Sequence, residues 1–308
     1  MSQRNDPARR VFGRYSTMHR IVSCLAIAVV VLAGRYQAAP IARTLRVLTY
    51  NIHHGEGTDG IVDLSRQAEI LKSVQLDLVA LQEVDQRTER TGGVNQLQEL
   101  ARLTGMHAQF GKAMDYSGGS YGVAVLSRWP FVSTRNDPLP ALPDREPRTA
   151  LTALVRVDAD GPLLQFTSTH LDQGRDEGNR LAQAAHLNAL PVREGAQEIL
   201  AGDMNSRPDT EVMKVLETQW TNATTADPSL PPASDGRPRF RGDYILVRPT
   251  HCWRVIEAEV LDDRVASDHR PVLVVLEWTA TCLTVSAPEH PGVGEYSLRA
   301  WVRPHGGK

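Results

Sequence analysis

Between residues 45 and 278, short apolar runs alternate with segments whose apolar residues recur at helical spacing. Runs at 45–52, 77–84, 121–127, 149–157, 163–169, 198–202, 243–247, 255–261 and 272–278 are rich in Val, Leu, Ile and Thr, the pattern of buried strands. In 63–74 the apolar positions Leu64, Ala68, Ile70, Leu71 and Val74 follow a helical period, and Asp63 can cap the first turn. Shorter helices are predicted at 95–103, 179–190 and 208–216, the last with Pro208 near its start. Asp160-Gly161, between two strand runs, predicts a hairpin. Residues 112–120, 136–147 and 227–241 read as loops.

Hairpins mixed with strand–helix units predict mixed sheets, and about ten strands are more than one twisted sheet carries comfortably. The expected fold is therefore α/β, with two mixed sheets packed face to face and helices on the outside.

The chain has 308 residues, 41% hydrophobic and 23% charged, with a formal net charge of −2. That is ordinary for a globular protein and lends no support to a basic face for gripping long duplex DNA. The first forty residues change the picture. Arg4, Arg9, Arg10, Arg14 and Arg20 precede an apolar run at 21–33, and Ala38, Ala39 and Pro40 follow it. Positive flank, apolar run and small-residue exit are the parts of a secretory signal. The run is shorter than the ~20 residues of a membrane-spanning helix, and Arg9-Arg10-Val11-Phe12 hints at a twin-arginine signal. Residues 1–39 are expected to be an export signal or an N-terminal membrane anchor, 40–279 the catalytic domain, and 280–308 a tail without an assigned role. The protein is then expected in the periplasm, outside the cell or held at a membrane. Past that segment only Cys252 and Cys282 remain of three cysteines, either a disulfide or two separate thiols.

Several strand runs end in a polar residue of ligand type: Asn51, Glu83, His170, and Asp203 with Asn205. Asp243 starts another strand, and Asp268-His269 precede the last. In a mixed sheet the end of one strand and the start of its antiparallel neighbour share an edge, so these residues can form one cluster. The composition suits hard-cation chemistry, because Mg²⁺ takes oxygen ligands from one or two carboxylates and keeps several waters. Glu83 is the expected metal ligand, supported by Asn51 and Asp268. Asp203 is the expected base for a water nucleophile, with Asn205 orienting it. His170 and His269 are expected to donate hydrogen bonds to the non-bridging phosphate oxygens, and Asp243 to hold His269. Singly, each of these residues fits a turn or cap; jointly, six edge segments of complementary chemistry do not.

The chain resembles the endonuclease/exonuclease/phosphatase superfamily. The resemblance covers roughly residues 44–278 and is carried by Thr49-Tyr50-Asn51-Ile52, Leu81-Gln82-Glu83-Val84, Ser168-Thr169-His170-Leu171, Gly202-Asp203-Met204-Asn205, Gly242-Asp243-Tyr244-Ile245 and Ser267-Asp268-His269-Arg270-Pro271, in the family's order. It implies a four-layer sandwich of two packed mixed β-sheets flanked by helices, with the site at one sheet edge. It also implies Mg²⁺ or Mn²⁺, the roles assigned above, and hydrolysis of a phosphate ester, most often a phosphodiester. Tyr121 in 119–127 and Arg148 are implied phosphate contacts. Asn51-Ile52-His53-His54-Gly55 is similar to a bacterial group of metal-dependent hydrolases, and to proteins linked with glycolipid-anchor remodelling. The substrate, whether nucleic acid, phospholipid or a small phosphodiester, is left open, and no protein partner is indicated. Gly242 departs from the family's usual apolar residue, which is expected to loosen the strand start and the Asp243–His269 geometry.

Two other functions compete. Gly118-Gly119-Ser120-Tyr121-Gly122 fits the G-x-S-x-G pattern of a serine hydrolase, but a nucleophile elbow needs a strand before it and a helix after it. A non-catalytic binding module on the same fold would be expected to have lost ligands, and all six segments are intact. A zinc site using His53 and His54 is disfavoured, since alternation along a continuing strand would send them to opposite faces.

Overall fold

The computed structural model describes residues 43–159, 161–225, 242–279 and 282. The chain runs through β1 (Arg43–Asn51), α1 (Leu64–Ser73), β2 (Leu78–Gln86), α2 (Gln96–Thr104), β3 (His107–Tyr116), β4 (Gly119–Ser127), β5 (Phe131–Pro138), β6 (Thr149–Arg156), β7 (Leu163–His170), α3 (Gly178–Asn188), β8 (Gln197–Asp203), α4 (Glu211–Glu217), β9 (Thr221–Asn222), β10 (Asp243–Arg248), β11 (Trp253–Val260) and β12 (Val272–Trp278). These strands make two six-stranded sheets, ordered β11-β12-β1-β2-β4-β3 and β5-β6-β7-β8-β10-β9. Each is mixed, as expected: β1/β2 and β7/β8 are parallel and the long pairings around them antiparallel.

Alternation along the strands builds the layers. Leu45 and Val47 of β1, Leu78 and Ala80 of β2, Phe166 of β7, Ile199 of β8 and Ile245 of β10 point into one core between the sheets. The intervening Leu48, Tyr50, Val79 and Leu81 pack outward against Leu64, Leu71, Leu97 and Leu100 of α1 and α2. On the other side, Leu200, Tyr244 and Leu246 pack against Ala184 and Leu187 of α3 and Val212 and Leu216 of α4. Central strands buried on both faces read as continuous apolar runs, and each fully buried Leu, Val or Phe contributes roughly 1.5–3 kcal/mol. Asp63 caps α1 by accepting from Ser65 N, Asn95 caps α2 by accepting from Gln98 N, and Gly105 ends α2 in the left-handed conformation.

This topology positions the site. A parallel pair needs a crossover, here α1 between β1 and β2 and α3 between β7 and β8. The carboxyl ends of those four strands therefore emerge at one edge of the paired sheets. The antiparallel neighbours start there too, with Asp243 opposite Asp203 and Val272 opposite Thr49.

Three elements differ from expectation. β3 and β5 occupy residues 107–116 and 131–138, mostly unassigned or read as loop. Both are sheet edges, carrying Lys112, Asp115, Arg135 and Asp137, and edge strands need little apolar alternation. Helix α4 begins at Glu211, capped by Thr210, so Pro208 lies before the cap. The segment expected to be an N-terminal signal, all of 227–241 and the tail other than Cys282 lie outside the described residues. Among the described residues, no helix is long and apolar enough to cross a membrane. Cys252 and Cys282 form a disulfide with Cα atoms 5.4 Å apart, packed into the inter-sheet core.

Phe166 is fully buried where the sheets meet. Phe166→Ala should lower the unfolding free energy by about 3–5 kcal/mol in denaturant titration; a loss below about 1 kcal/mol would mean that the sheets do not pack there.

Candidate active site

Glu83 lies in a β-bulge of β2, where pairing with β4 slips between Leu81 and Val84, and has φ of 58°. A bulge re-aims its side chain, and a non-glycine residue in the left-handed region marks a position held by its surroundings. Here the carboxylate turns to the sheet edge and accepts from Asn51 Nδ2 at 3.0 Å. Asn51 ends β1, and its Oδ1 accepts from His53 N at 3.0 Å. That bond fixes the amide so that Nδ2 faces Glu83 and, at 3.4 Å, Asp203 Oδ2. Asn51 thus serves the expected metal ligand as a hydrogen-bond donor, its oxygen being already engaged.

Asp203 ends β8 and is 1% exposed. Its Oδ1 accepts from Asn205 N at 2.8 Å, and Asn205 itself sits at φ 48°, a conformation Asn tolerates. Burial, and then the nearby charge of Asp243, push the Asp203 carboxyl up to about 7. His170 ends β7. Its Nε2 lies 3.5 Å from Asp203 Oδ2 and 3.0 Å from the Asn205 amide, while Arg148 approaches Nδ1 at 2.9 Å. A guanidinium only donates, so Nδ1 accepts and the proton sits on Nε2, towards Asp203 Oδ2; Asn205 Nδ2 is itself a donor, to Leu171 O, and adds no bond to that nitrogen. Burial, Arg148 and His269 hold this imidazole well below its ordinary range, hence neutral.

The two expected phosphate contacts His170 and Arg148 are deeply buried. Each is 3% exposed, and Arg148 also meets Glu146 at 3.2 Å. Arg148, His170 and Asp203 make a buried polar chain beside Asn205.

His269 has the opposite character. It precedes β12 in one sheet, and its Nδ1 lies 2.8 Å from Oδ2 of Asp243, the first residue of β10 in the other. Its Nε2 is 3.8 Å from Asp203 Oδ2, and the side chain keeps 23% exposure. Burial disfavours its charge, but Asp243, its hydrogen bond and Asp203 outweigh that and raise it to about 10. At neutral pH it is an imidazolium. Ser267 Oγ donates to Asn51 O at 2.8 Å, accepts from His269 N at 3.2 Å, and stands 3.4 Å from Asp268 Oδ1, which places Asp268 on the exposed rim.

Gly242 does not loosen this geometry. It has φ of 106°, and a Cβ there would meet Asp203 Oδ1 at 2.6 Å and Asn205 N at 3.2 Å. Glycine makes the close approach of β10 to the Asp203 turn feasible. The sequence offered a signal for this, a glycine directly before the strand, which reads equally well as a weakness.

Tyr121, on β4, is buried with Glu83 and Arg148 as its charged neighbours. Arg90 lies 5.6 Å from its ring centroid and 4.6 Å from that of Tyr116, and pairs with the buried Asp85 at 2.6 and 2.8 Å. Ser120 lies within β4, paired with Gln86 and Asp115, and not on a turn into a helix. The strand-to-helix elbow that a serine nucleophile needs is absent at that position. His53 and His54 also depart from expectation. A 3₁₀ turn with φ of 46° and 43° brings their rings to 4.4 Å, on one side of the chain.

A fold of two mixed sheets with a carboxylate, amide and imidazole cluster at one edge defines a class, and the comparisons agree. Residues 48–269 match the endonuclease/exonuclease/phosphatase family, and the chain belongs to it. It is 29% identical over 174 residues to YbhP of Escherichia coli strain K12, covering 53% of this chain and 67% of YbhP. The crystal structure of an endonuclease/exonuclease/phosphatase from Beutenbergia cavernae superposes with a TM-score of 0.63 at 26% identity, covering 77% of this chain and 72% of that one. A mannosyl-6-phosphatase of Bacteroides thetaiotaomicron gives 0.62 at 18% identity over 75% and 99%, which shows the shared fold.

Gly242→Ala should leave the far-ultraviolet circular dichroism unchanged yet lower kcat by about a hundredfold, the scale of an ångström-level displacement of a catalytic group. Wild-type kcat in this variant would show that the contact with Asp203 has no consequence.

Proposed function

We propose that this protein is a Mg²⁺- or Mn²⁺-dependent phosphodiesterase in which Asp203 accepts a proton from the attacking water and His269 stabilises charge on the phosphate. One observation carries the proposal: Glu83, Asp203 and His269, from three separated segments and both sheets, are tied to one polar cluster through Asn51 and Asp243.

The residues fit a hard divalent cation. Glu83 is half-buried and Asp268 exposed, and both carry the carboxylate oxygens that such an ion takes. Negative charge is concentrated there, since Asp243 Oδ1 is buried without a hydrogen-bond partner and Asp203 is pushed up first by burial and then by the charge of Asp243. Glu83 would hold the ion, Asp268 would complete its oxygen set and Asn51 would orient Glu83. Bound there, it would polarise a phosphoryl oxygen and offset developing charge.

The chain's own groups supply the rest. Asn205 N and Asn51 Nδ2 fix the Asp203 carboxylate so that its lone pairs meet a water at the pocket. His269 donates from Nε2 to a non-bridging oxygen, while Asp243 keeps its charge and tautomer. Arg148 is covered, so within this cluster His269 is the side-chain cation at the pocket. One imidazolium and one divalent ion suit a singly charged diester better than a doubly charged monoester. The Cys252–Cys282 disulfide supports an exported protein or one held at a membrane facing an oxidising compartment.

Purified full-length chain should hydrolyse bis-p-nitrophenyl phosphate with Mg²⁺ or Mn²⁺ and stop with EDTA. Asp203→Asn and His269→Ala should each lower turnover by about a hundredfold or more without unfolding. Near-normal rates in both variants would contradict the roles, and no turnover of plasmid DNA, RNA, sphingomyelin, inositol phosphates or generic diester would favour a binding module.

The pH profile tests the charge states. Asp203 must be deprotonated, so activity rises as pH passes its pKa, about 7 before a cation lowers it. His269 must keep its proton, so activity falls as pH rises through about 10. Asp243→Asn removes the charge that supports the imidazolium and should move the alkaline limb of kcat/KM down, towards the free imidazole value of about 6.5. An alkaline limb unmoved in this variant would separate His269 from the rate.

A further inference from the structure

We infer that His53, His54 and Glu83 form a second cation site, one for a late first-row divalent ion with Zn²⁺ foremost, beside the oxygen-lined position. One ring nitrogen of each histidine and a Glu83 carboxylate oxygen lie within 4.8 Å of one another. A tetrahedral ion with Zn–N bonds of about 2.0–2.1 Å needs ligand atoms about 3.4 Å apart, so the three groups would draw in from their spacing of up to 4.8 Å to close on the ion.

The hydrogen bonds sort the four ring nitrogens. His53 Nδ1 lies 3.2 Å from the Glu56 carbonyl oxygen, and His54 Nε2 lies 3.2 Å from Glu56 Oε2. Both partners are acceptors, so both of these nitrogens carry the proton. Nε2 of His53 and Nδ1 of His54 are left with lone pairs, and His54 Nδ1 is buried with no hydrogen-bond partner. An imidazole whose far N–H is held by a carboxylate or a carbonyl is the usual second partner arrangement of a metal-bound histidine. Here a single residue, Glu56, supplies both.

The turn is locked in place. Gln96 Nε2 donates to His54 O at 2.6 Å, His53 N to Asn51 Oδ1 at 3.0 Å, and Glu56 N to His53 O at 2.8 Å. Gly55 follows with φ of 78°, and a Cβ there would meet Leu64 Cδ2 at 3.0 Å. Two consecutive histidines in the left-handed region are costly for L residues. That cost sets both rings on the side of Glu83. Imidazole nitrogens favour Zn²⁺ and its late first-row neighbours over Mg²⁺, so the two positions select different ions.

The site shares Glu83 with the proposed catalytic ion but does not depend on that ion's role. Its test is Co²⁺ titration of full-length chain carrying no polyhistidine tag, in saturating Mg²⁺, read by the visible absorption of nitrogen-bound Co²⁺, with Zn²⁺ content by elemental analysis after dialysis. Wild type should take one equivalent. His53→Ala, at a half-buried ring, should weaken binding at least tenfold, Glu56→Ala about 10–100-fold, and His269→Ala not at all. Thermal melts confirm that each variant is folded. No stoichiometric uptake by wild type overturns the site, as does Co²⁺ lost in His269→Ala but kept in His53→Ala. Mg²⁺-supported diester turnover without Co²⁺ uptake sinks this inference alone. His53-dependent Co²⁺ uptake without any turnover sinks the proposed function alone.

Discussion

The hydrogen bond from His269 to Asp243 joins the two sheets at the edge where the chemistry gathers. One partner comes from the connection before β12, the other begins β10, and they lie on opposite sides of the inter-sheet core. It is backed by two further polar links across the same gap, Asn51 to Asp203 and Ser168 Oγ to the Leu81 carbonyl. Apolar packing brings the sheets together but leaves their relative position along the strands loosely specified. Buried polar pairs are directional, and an unmade one costs about 1–3 kcal/mol, so they set that position. His269, Asp203 and Asn51 then have defined distances without being near in sequence.

The same edge concentrates backbone strain. Glu83, Asn205, His53 and His54 all have positive φ, as does Gly242. Each brings a functional group towards the edge, or admits one, where regular strand geometry would turn it away. The strain is held by the surrounding bonds: Asn51 on Glu83, Leu171 O on the Asn205 amide, Gln96 on the His53–His54 turn. Rigid strands supply the frame, and a few distorted residues at their ends aim the side chains.

This division explains what could be read from the sequence. Central strands buried on both faces appear as apolar runs, so β1, β2, β4, β6, β7, β8, β10 and β12 were legible, as was the rule that puts their polar ends on one edge. The edge strands β3 and β5 were not, because Lys112, Asp115, Arg135 and Asp137 leave no alternation to detect. Residue types gave the members of the cluster but not the direction each side chain takes. His170 and His269 look alike as strand-edge histidines, yet one is wedged neutral against Arg148 and the other charged against Asp243. The turn at His53 and His54 and the close approach at Gly242 depend on φ values that local pattern does not encode.

A double-mutant cycle on Asp243 and His269, read as kcat/KM for a phosphodiester at neutral pH, probes the junction most directly. If the two act as one unit, Asp243→Asn/His269→Ala will be no slower than His269→Ala alone. If the two losses multiply, each residue works through separate contacts and the cross-sheet pair is not what organises the site.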